Sequence, residues 1–131
     1  MTMISPFLRK VLLVDATISG AAGLAFIGGA DLTHDLLGLP SALLFWSGVS
    51  LIPFVATLVM VIRANAAPAG VGAAIIAINF AWVAASLFVA FGPVFAPTLI
   101  GKVFVCAQAA MVFLFGELQF TALRRSGRAM A

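Results

Sequence analysis

The sequence is poor in charge and in the side chains that most metal sites use. Of its 131 residues, seven are Lys or Arg and four are Asp or Glu, so charged residues make up 8% of the chain. It contains one Cys, one His and no Tyr. A soluble domain carries about a quarter charged residues, so these charges are too few to cover a surface in contact with water. One Cys and one His also fall short of an ordinary zinc or haem site, and we expect no metal and no cofactor.

Nucleic-acid binding and hydrolytic catalysis are also disfavoured. The formal net charge is +3, but the basic residues are scattered at the ends of apolar runs. They form no basic stripe interleaved with aromatic residues, as a nucleic-acid interface would require. The sequence has no glycine-rich phosphate loop, nucleophile elbow or metalloprotease motif. We therefore expect neither a nucleic-acid partner nor an enzyme.

Apolar residues make up 64% of the sequence and fall into four long runs. These runs predict helices over residues 11–30, 41–62, 71–91 and 98–120. The last run would span roughly 35 Å as a helix, which is enough to cross a bilayer. Short connections between the runs favour antiparallel neighbours. The sequence therefore predicts an all-α fold: one transmembrane domain over residues 1–131, built as an up-down-up-down antiparallel four-helix bundle.

The first connection, DLTHDLLGLP over residues 31–40, carries turn and capping residues. Asp31 can cap a short turn, Gly38 can end it, and Pro40 suits the first position of the next helix. His34 lies in this predicted loop beside two carboxylates. We interpret it as a solvated side chain and not as a metal ligand.

Basic residues are distributed unevenly between the two predicted sides of the bundle. Asp31 and Asp35 fall on one side, where Lys102 lies about one helical turn inside the helix end and can extend outward. Because positive residues are retained in the cytoplasm, we expect a multi-pass protein of the bacterial inner (cytoplasmic) membrane with both termini cytoplasmic. The basic residues on the predicted cytoplasmic side are Arg9, Lys10, Arg63, Arg124, Arg125 and Arg128.

Several polar or amphipathic side chains interrupt the predicted helices and form a candidate ligand or proton site. Ionisable groups are costly in hydrocarbon, so an acid there is a functional candidate. Asp15 lies about one turn from the cytoplasmic end of the first helix, and Glu117 about two turns from Arg124. We expect these acids to converge with amide side chains in the cytoplasmic half of the bundle. The candidate residues are Asp15, Asn79, Trp82, Ser86, Gln108, Glu117 and Gln119.

Helical periodicity assigns these residues to faces. Asn79, Trp82 and Ser86 share one face of the third helix, and the mid-span indole N–H of Trp82 is expected to find a partner such as Asn79. On the fourth helix, Gln108 lies about 180° from Glu117 at 100° per residue. Glu117 must therefore face a second neighbour or another subunit, while Gln119 shares the face of Gln108.

A structural interpretation of the same residues stays open. Hydrogen bonds between membrane helices average only about 0.6 kcal/mol, so they fix helix register more than they stabilise the fold. In the first helix, Ser19 and Gly23 are four residues apart, as are Ala25 and Gly29. Such spacing of small residues lets another helix approach closely.

Four motifs, LLVDATISGAAGL, LIPFVATLV, NFAWVAASL and GELQFTALRR, carry a resemblance that covers nearly the whole chain. Together they resemble small four-helix integral membrane proteins of bacteria that have no established function. The resemblance implies the fold and the membrane location, but no activity. The chain is less similar to small multidrug resistance transporters, because the early acid is Asp15 instead of Glu, Tyr is absent and the basic residues are strongly asymmetric.

Three functions stay open at this point. We favour a structural or accessory bundle that self-associates or joins a larger membrane complex. The first alternative is a small proton-coupled transporter that uses Asp15 or Glu117 as its protonatable group. The second is a bundle that binds an apolar ligand such as a lipid, quinone or pigment between Phe-rich walls and Trp82. The sequence specifies no small-molecule substrate.

Overall fold

The chain is almost entirely helical in a computed structural model, which describes residues 2–64 and 66–130, and the side chains of residues 4–64, 66–68 and 70–125. The all-α fold predicted from the sequence is confirmed, and each helix is long and apolar enough to cross a membrane. Two short strands, β1 (Thr2–Met3) and β2 (Ala66–Ala67), pair antiparallel. The helices are α1 (Pro6–Leu37), α2 (Ser41–Arg63), α3 (Ala69–Phe91) and α4 (Leu99–Met130).

The first helix is longer than the predicted range of residues 11–30. It continues through residues 31–37, so the expectation of a loop that starts with a cap at Asp31 was wrong. Ala30 and Leu37 are buried and lie seven residues apart, so the inward-facing helical pattern extends across this segment. Gly38 ends α1 in the left-handed conformation, with φ 68°, as its position predicted.

The other helix boundaries lie closer to those predicted, with one exception. α2 and α3 nearly match residues 41–62 and 71–91, but α4 continues beyond residue 120 through the basic segment to Met130. Ala122 is 1% exposed and lies seven residues after the buried Phe115, so the inward face continues past the predicted end. Pro40 precedes α2 as its cap and does not occupy its first turn.

Close packing joins α1 to α2, α3 to α4, and α1 to α4, whereas α2 and α3 scarcely approach each other. The bundle is therefore a ring that is open on one side. Between α1 and α2, a side chain at Gly48 would come within 2.7 Å of the Gly23 carbonyl oxygen and 2.9 Å of Phe26 Cβ. The predicted close approach at Gly23 is thus present, and Gly48 is its partner. At Gly29 a side chain would meet only its own helix, at Thr33.

Contacts between residues far apart in sequence bring the start of one helix next to the end of a neighbouring helix. Near the start of α1, Arg9 donates hydrogen bonds to the carbonyl oxygens of Ile62 and Ala64 at the end of α2. A side chain at Gly72, early in α3, would lie 3.2 Å from Leu123, late in α4. Such pairs are compatible with the antiparallel arrangement expected from the short connections. The up-down-up-down order through a bilayer stays a prediction.

Five basic residues with described side chains gather at one end of the bundle, which we call the basic end: Arg9, Lys10, Arg63, Arg124 and Arg125. The Arg125 guanidinium lies 5.6 Å from the centre of the Phe7 ring, which brings the ends of α1 and α4 together there. Arg128 of the predicted basic set has no described side chain.

Thr98 joins α1 and α4 at the opposite end of the bundle. Its Oγ1 donates to the Leu36 carbonyl oxygen at 2.6 Å, and its N–H donates to the Leu37 carbonyl oxygen at 3.1 Å. Thr98 Oγ1 also accepts a hydrogen bond from the Gly101 N–H at 3.0 Å, so it caps the start of α4. One residue thus satisfies backbone groups at the ends of two helices.

Two apolar clusters fill the ends of the bundle, and the polar candidate residues lie between them. The cluster toward the basic end includes Leu12, Leu58 and Ile75, and the cluster toward the opposite end includes Leu44 and Val105. Outward-facing positions are also strongly apolar, as lipid contact requires. The most exposed of these include Leu24, Leu32, Met60 and Leu99.

Candidate functional site

A chain of hydrogen bonds links α1, α4 and α3 in the half of the bundle nearer the basic end. We call its four members, Ser19, Asp15, Gln119 and Asn79, the Asp15 network. Ser19 Oγ donates to Asp15 Oδ1 at 2.8 Å, and Gln119 Nε2 donates to Asp15 Oδ2 at 2.7 Å. Asn79 Nδ2 then donates to Gln119 Oε1 at 2.6 Å. Asp15 and Gln119 are each 1% exposed and Asn79 is 3% exposed, so the network is shielded from the surroundings of the bundle.

Three other candidate residues form a second network between α3 and α4. This Trp82 network consists of Trp82, Ser86 and Gln108. Trp82 Nε1 donates to Gln108 Oε1 at 2.8 Å, and Gln108 Nε2 donates to Ser86 Oγ at 2.8 Å. Gln108 Nε2 also donates to the Val105 carbonyl oxygen at 2.9 Å, and Ser86 Oγ donates to the Trp82 carbonyl oxygen at 2.7 Å. Both hydrogens of the Gln108 amide are therefore engaged.

The expected pairing of Trp82 with Asn79 was wrong, because the indole N–H donates to Gln108 instead. Asn79 and Trp82 do share a face of α3, as predicted. Their polar groups nevertheless reach across to different levels of α4, which presents Gln119 to Asn79 and Gln108 to Trp82. Helical periodicity shows which residues share a face. It does not show which residue of the neighbouring helix each of them bonds.

Glu117 stands apart from both networks. Its side chain is exposed on the outer surface of α4, so it does not join Asp15 in the interior of the bundle, and no second helix of the described chain covers it. The prediction that Glu117 faces away from Gln108 agrees with this exposure. Nearby, the Arg124 guanidinium lies 5.5 Å from the centre of the Phe120 ring. Among the described side chains, none forms an ion pair with Glu117.

A cavity of about 360 Å³ lies at mid-bundle and is lined by residues of all four helices. Ser19 and Asn79 of the Asp15 network border it, as do Trp82 and Gln108 of the Trp82 network. Most of the remaining wall is apolar, and it includes Phe26, Phe54, Phe104 and Phe115. The cavity therefore combines an apolar body with a few polar side chains, which is the usual composition of a ligand pocket.

The cavity adjoins the open side of the bundle. A second space of about 370 Å³ lies between α2 and α3 and shares Ser50, Phe54 and Ile78 with the cavity wall. We call this opening the α2–α3 seam and define it by Ser50, Phe54, Ile75 and Ile78, which border the second space. The seam faces sideways from the helix axes, so it would open toward lipid.

Sequence reasoning missed Ser19 as a site residue, although its position four residues after Asp15 on the same face was a usable signal. The cavity itself had no signal in the sequence. Metal binding finds no support either: within the described part of the chain, no three His, Cys, Asp or Glu side chains are grouped to hold an ion.

Comparison with protein-family models, with curated proteins and with solved structures finds no match to this chain. The resemblance to small bacterial membrane proteins therefore stays an expectation. The two networks lie at the wall of one cavity. Together they can hold an uncharged molecule in an apolar space and orient it through a small number of hydrogen bonds.

Proposed function

We propose that this protein is a multi-pass protein of the bacterial inner membrane that binds an apolar ligand in its mid-bundle cavity. The observation that carries the proposal is the cavity lined by all four helices and adjoining the α2–α3 seam. Its volume falls within the range of about 300–1,000 Å³ that is usual for ligand pockets. At roughly 30 Å³ per water-sized group, it accommodates about a dozen non-hydrogen atoms.

Packing energetics support an occupant. In the core of a soluble protein, unfilled volume costs roughly 24 cal/mol per Å³, so a molecule that filled this space would stabilise the bundle. The cost arises because wall atoms lose dispersion contacts when nothing lies against them. Buried apolar clusters join the helices at both ends of the bundle, on either side of this space.

The open seam supports entry from the bilayer. α2 and α3 make almost no close backbone contact, so a hydrocarbon chain can pass between them without breaking a packed helix interface. Ile75 and Ile78 on α3 face Phe54 on α2 across this opening. A ligand that partitions into lipid would reach the cavity by this lateral route and would not need to cross water.

The proposed placement in the membrane follows from the basic end. Arg9, Arg63, Arg124 and Arg125 lie there, whereas Asp31 and Asp35 lie toward the other end of α1. The distribution of positive residues favours a cytoplasmic basic end, and therefore both termini in the cytoplasm.

The proposal is tested by isolating the protein in mild detergent, measuring its mass under native conditions and extracting bound molecules with organic solvent. We expect an apolar molecule in about one-to-one ratio with the wild-type chain. In the variant Ala22→Leu, extra side-chain volume would enter the cavity that Ala22 lines, and the bound molecule should be lost. The matched control is Ala21→Leu, which adds the same volume at an exposed position on α1.

Two results would overturn the proposal. One is a wild-type protein that carries nothing stoichiometric even after incubation with a total bacterial lipid extract. The other is a molecule that stays bound equally well in Ala22→Leu and Ala21→Leu, because it would then lie outside the cavity.

Self-association is a second candidate function, and one observation favours it. Glu117 is exposed on an apolar helix surface about two turns from Arg124, at a level where lipid would surround it. A carboxyl group in that setting costs roughly 2.5–3.5 kcal/mol on insertion scales unless it gains a polar partner. A second copy of the chain or a larger membrane complex would supply such a partner.

The oligomeric state in lipid nanodiscs or vesicles tests this candidate. If Glu117 lies at an interface, Glu117→Gln should shift the population toward monomers while leaving the thermal unfolding of each chain unchanged. A wild-type protein that is monomeric at high protein-to-lipid ratio would remove this candidate.

The proton-coupled transporter finds less support. Asp15 has both carboxyl oxygens hydrogen-bonded within the bundle and is not part of the cavity wall. A transported substrate in the cavity would therefore meet Ser19 or Asn79 before it met Asp15.

A further inference from the structure

Apart from Asn79, the polar groups that line the cavity have a common property: their hydrogen-bond donors are already used within the protein. Ser19 Oγ donates to Asp15, and Ser50 Oγ donates to the Ser47 carbonyl oxygen. Trp82 Nε1 donates to Gln108, whose own amide hydrogens are both engaged. The oxygen atoms of these side chains can still accept hydrogen bonds.

Asn79 is the most buried of the polar residues in the cavity wall, at 3% exposure. Its orientation is set by the Asp15 network. The carboxyl oxygens of Asp15 accept, so Gln119 must present its NH₂ group to Asp15 and its oxygen to Asn79. Asn79 must then present its NH₂ group to Gln119, which leaves its Oδ1 directed elsewhere.

Within the described residues, no group donates a hydrogen bond to Asn79 Oδ1. A buried amide oxygen without a donor is unfavourable, because it has lost its hydration and gained nothing in return. The Asp15 network contains two amide side chains. Of these, Asn79 borders the cavity and Gln119 does not. A hydrogen-bond donor on the occupant of the cavity would satisfy this oxygen.

We propose that the ligand is a membrane lipid with a free hydroxyl group on a hydrocarbon body, and that the hydroxyl donates to Asn79 Oδ1. This inference rests on the proposed function and specifies its ligand. A carbonyl or ether oxygen at the same position would face another acceptor and be rejected. The site thus discriminates an alcohol from its ether, and a quinol from its quinone, by the presence of one O–H group.

The α2–α3 seam accounts for the rest of the molecule. The cavity holds about a dozen non-hydrogen atoms, at roughly 30 Å³ each, so a longer chain must extend beyond it. Ile78 and Phe54 border both the cavity and the seam, so they offer a route by which the tail can leave the cavity. The hydroxyl end therefore lies inside the bundle and the tail between α2 and α3.

Trp82 can report the binding of such a ligand. The chain has two Trp residues, and Trp46 is 64% exposed on α2. The variant Trp46→Phe leaves Trp82, which lines the cavity, as the one tryptophan. In nanodiscs of phosphatidylcholine, a long-chain alcohol brominated near its hydroxyl end would quench Trp82 on contact, and its methyl ether serves as the matched probe.

In the Trp46→Phe background, we expect the alcohol to bind roughly two- to tenfold more tightly than the ether, which is the usual effect of one hydrogen bond. A hydroquinone with the same tail and its dimethyl ether form a second pair, which separates ring-bearing from linear alcohols. A preference for the free hydroxyl in either pair supports the inference. The preference should persist in Ser50→Ala and disappear in Asn79→Leu.

The outcomes separate the inference from the proposed function. If alcohol and ether bind equally and both are lost on adding Ala22→Leu, the cavity binds apolar ligands but the hydroxyl inference is wrong. If the preference disappears in Ser50→Ala and not in Asn79→Leu, the assignment to Asn79 is overturned. If no probe quenches Trp82 more than in the Ala22→Leu variant, the proposed function itself fails. The comparison of alcohol with ether needs no Asn79 variant, so a misfolded Asn79→Leu protein leaves the test intact.

Discussion

Gln119 Nε2 lies 2.7 Å from Asp15 Oδ2, which joins two residues 104 positions apart in the sequence. The bond connects α1 to α4 at a level where each helix otherwise presents apolar side chains. Because Asn79 of α3 donates to the same Gln119, the position of one amide depends on three helices at once. A slip of any of these helices by one residue would leave a buried polar group without its partner, so the network specifies helix register.

The first prediction concerns the coupling between these two residues. Gln119→Met keeps the approximate shape of the side chain but leaves Asp15 and Asn79 each short of a partner. We expect the free energy of unfolding to fall by about 1–3 kcal/mol, the usual cost of buried polar groups that lose a partner. Unfolding in mixed micelles with increasing SDS, followed by tryptophan fluorescence, gives the measurement.

A double-mutant cycle with Asp15→Leu isolates the pair. Once the acid is gone, Gln119→Met should cost less than it does alone, with a coupling energy of about 0.6–1.7 kcal/mol. Glu117→Gln serves as the control on α4 and should leave stability unchanged, because Glu117 is exposed. Strict additivity of the two changes would show that the hydrogen bond contributes nothing to stability in the micelles.

The Asp15 network also marks how far the sequence could predict the site. Hydrophobic run length predicts the helices, and polar residues inside those runs are visible at once, which is why most members of both networks were candidates. Periodicity assigned Glu117 to the face opposite Gln108, and its exposure agrees. Periodicity specifies a face and not a neighbour, so it could not show that Trp82 pairs with Gln108.

Two other features lay beyond the sequence for different reasons. The segment over residues 31–37 contains polar residues that suggest a loop, but tertiary burial of Leu37 keeps it helical until Gly38. The cavity depends on the volume left at mid-bundle between α2 and α3, whose backbones scarcely approach each other. No local pattern encodes that volume, because it is set by the sum of side chains from all four helices.

The second prediction concerns the close contact between α1 and α2. A methyl group at Gly48 would lie 2.7 Å from the Gly23 carbonyl oxygen and 2.9 Å from Phe26 Cβ, so the helices would have to separate. We expect Gly48→Ala to lower the free energy of unfolding by about 1–3 kcal/mol through overpacking. Gly28→Ala is the control, since nothing lies within 4 Å of the added carbon. It should be neutral or stabilising, because Ala favours the helix. Equal stability of the two variants would contradict the packing of α1 against α2 at these glycines.

The third prediction concerns Arg9 at the basic end. Its guanidinium donates to the carbonyl oxygens of Ile62 and Ala64, where α2 ends and its last carbonyl groups lack helical partners. A cation there also interacts favourably with the helix dipole, by up to about 2 kcal/mol in partly buried sites. We expect Arg9→Ala to lower the thermal midpoint measurably and Lys10→Ala to leave it unchanged, since Lys10 is exposed. If both variants unfold at the wild-type temperature, the Arg9 contacts do not persist in lipid.

The fourth prediction concerns Thr98 at the opposite end. Thr98 Oγ1 accepts from the Gly101 N–H and donates to the Leu36 carbonyl oxygen, so Thr98→Val removes both bonds while keeping the shape of the side chain. Loss of a helix cap costs about 0.5–2 kcal/mol, and the lost donor adds to that cost. Thr57→Val is the matched control, because exposed Thr57 donates only to the Pro53 carbonyl oxygen of its own helix. Hydrogen exchange should then rise at the start of α4 and the end of α1 in Thr98→Val. Exchange that rises uniformly along all four helices would instead mean that Thr98 stabilises the bundle as a whole and does not act as a local tie between these two helix ends.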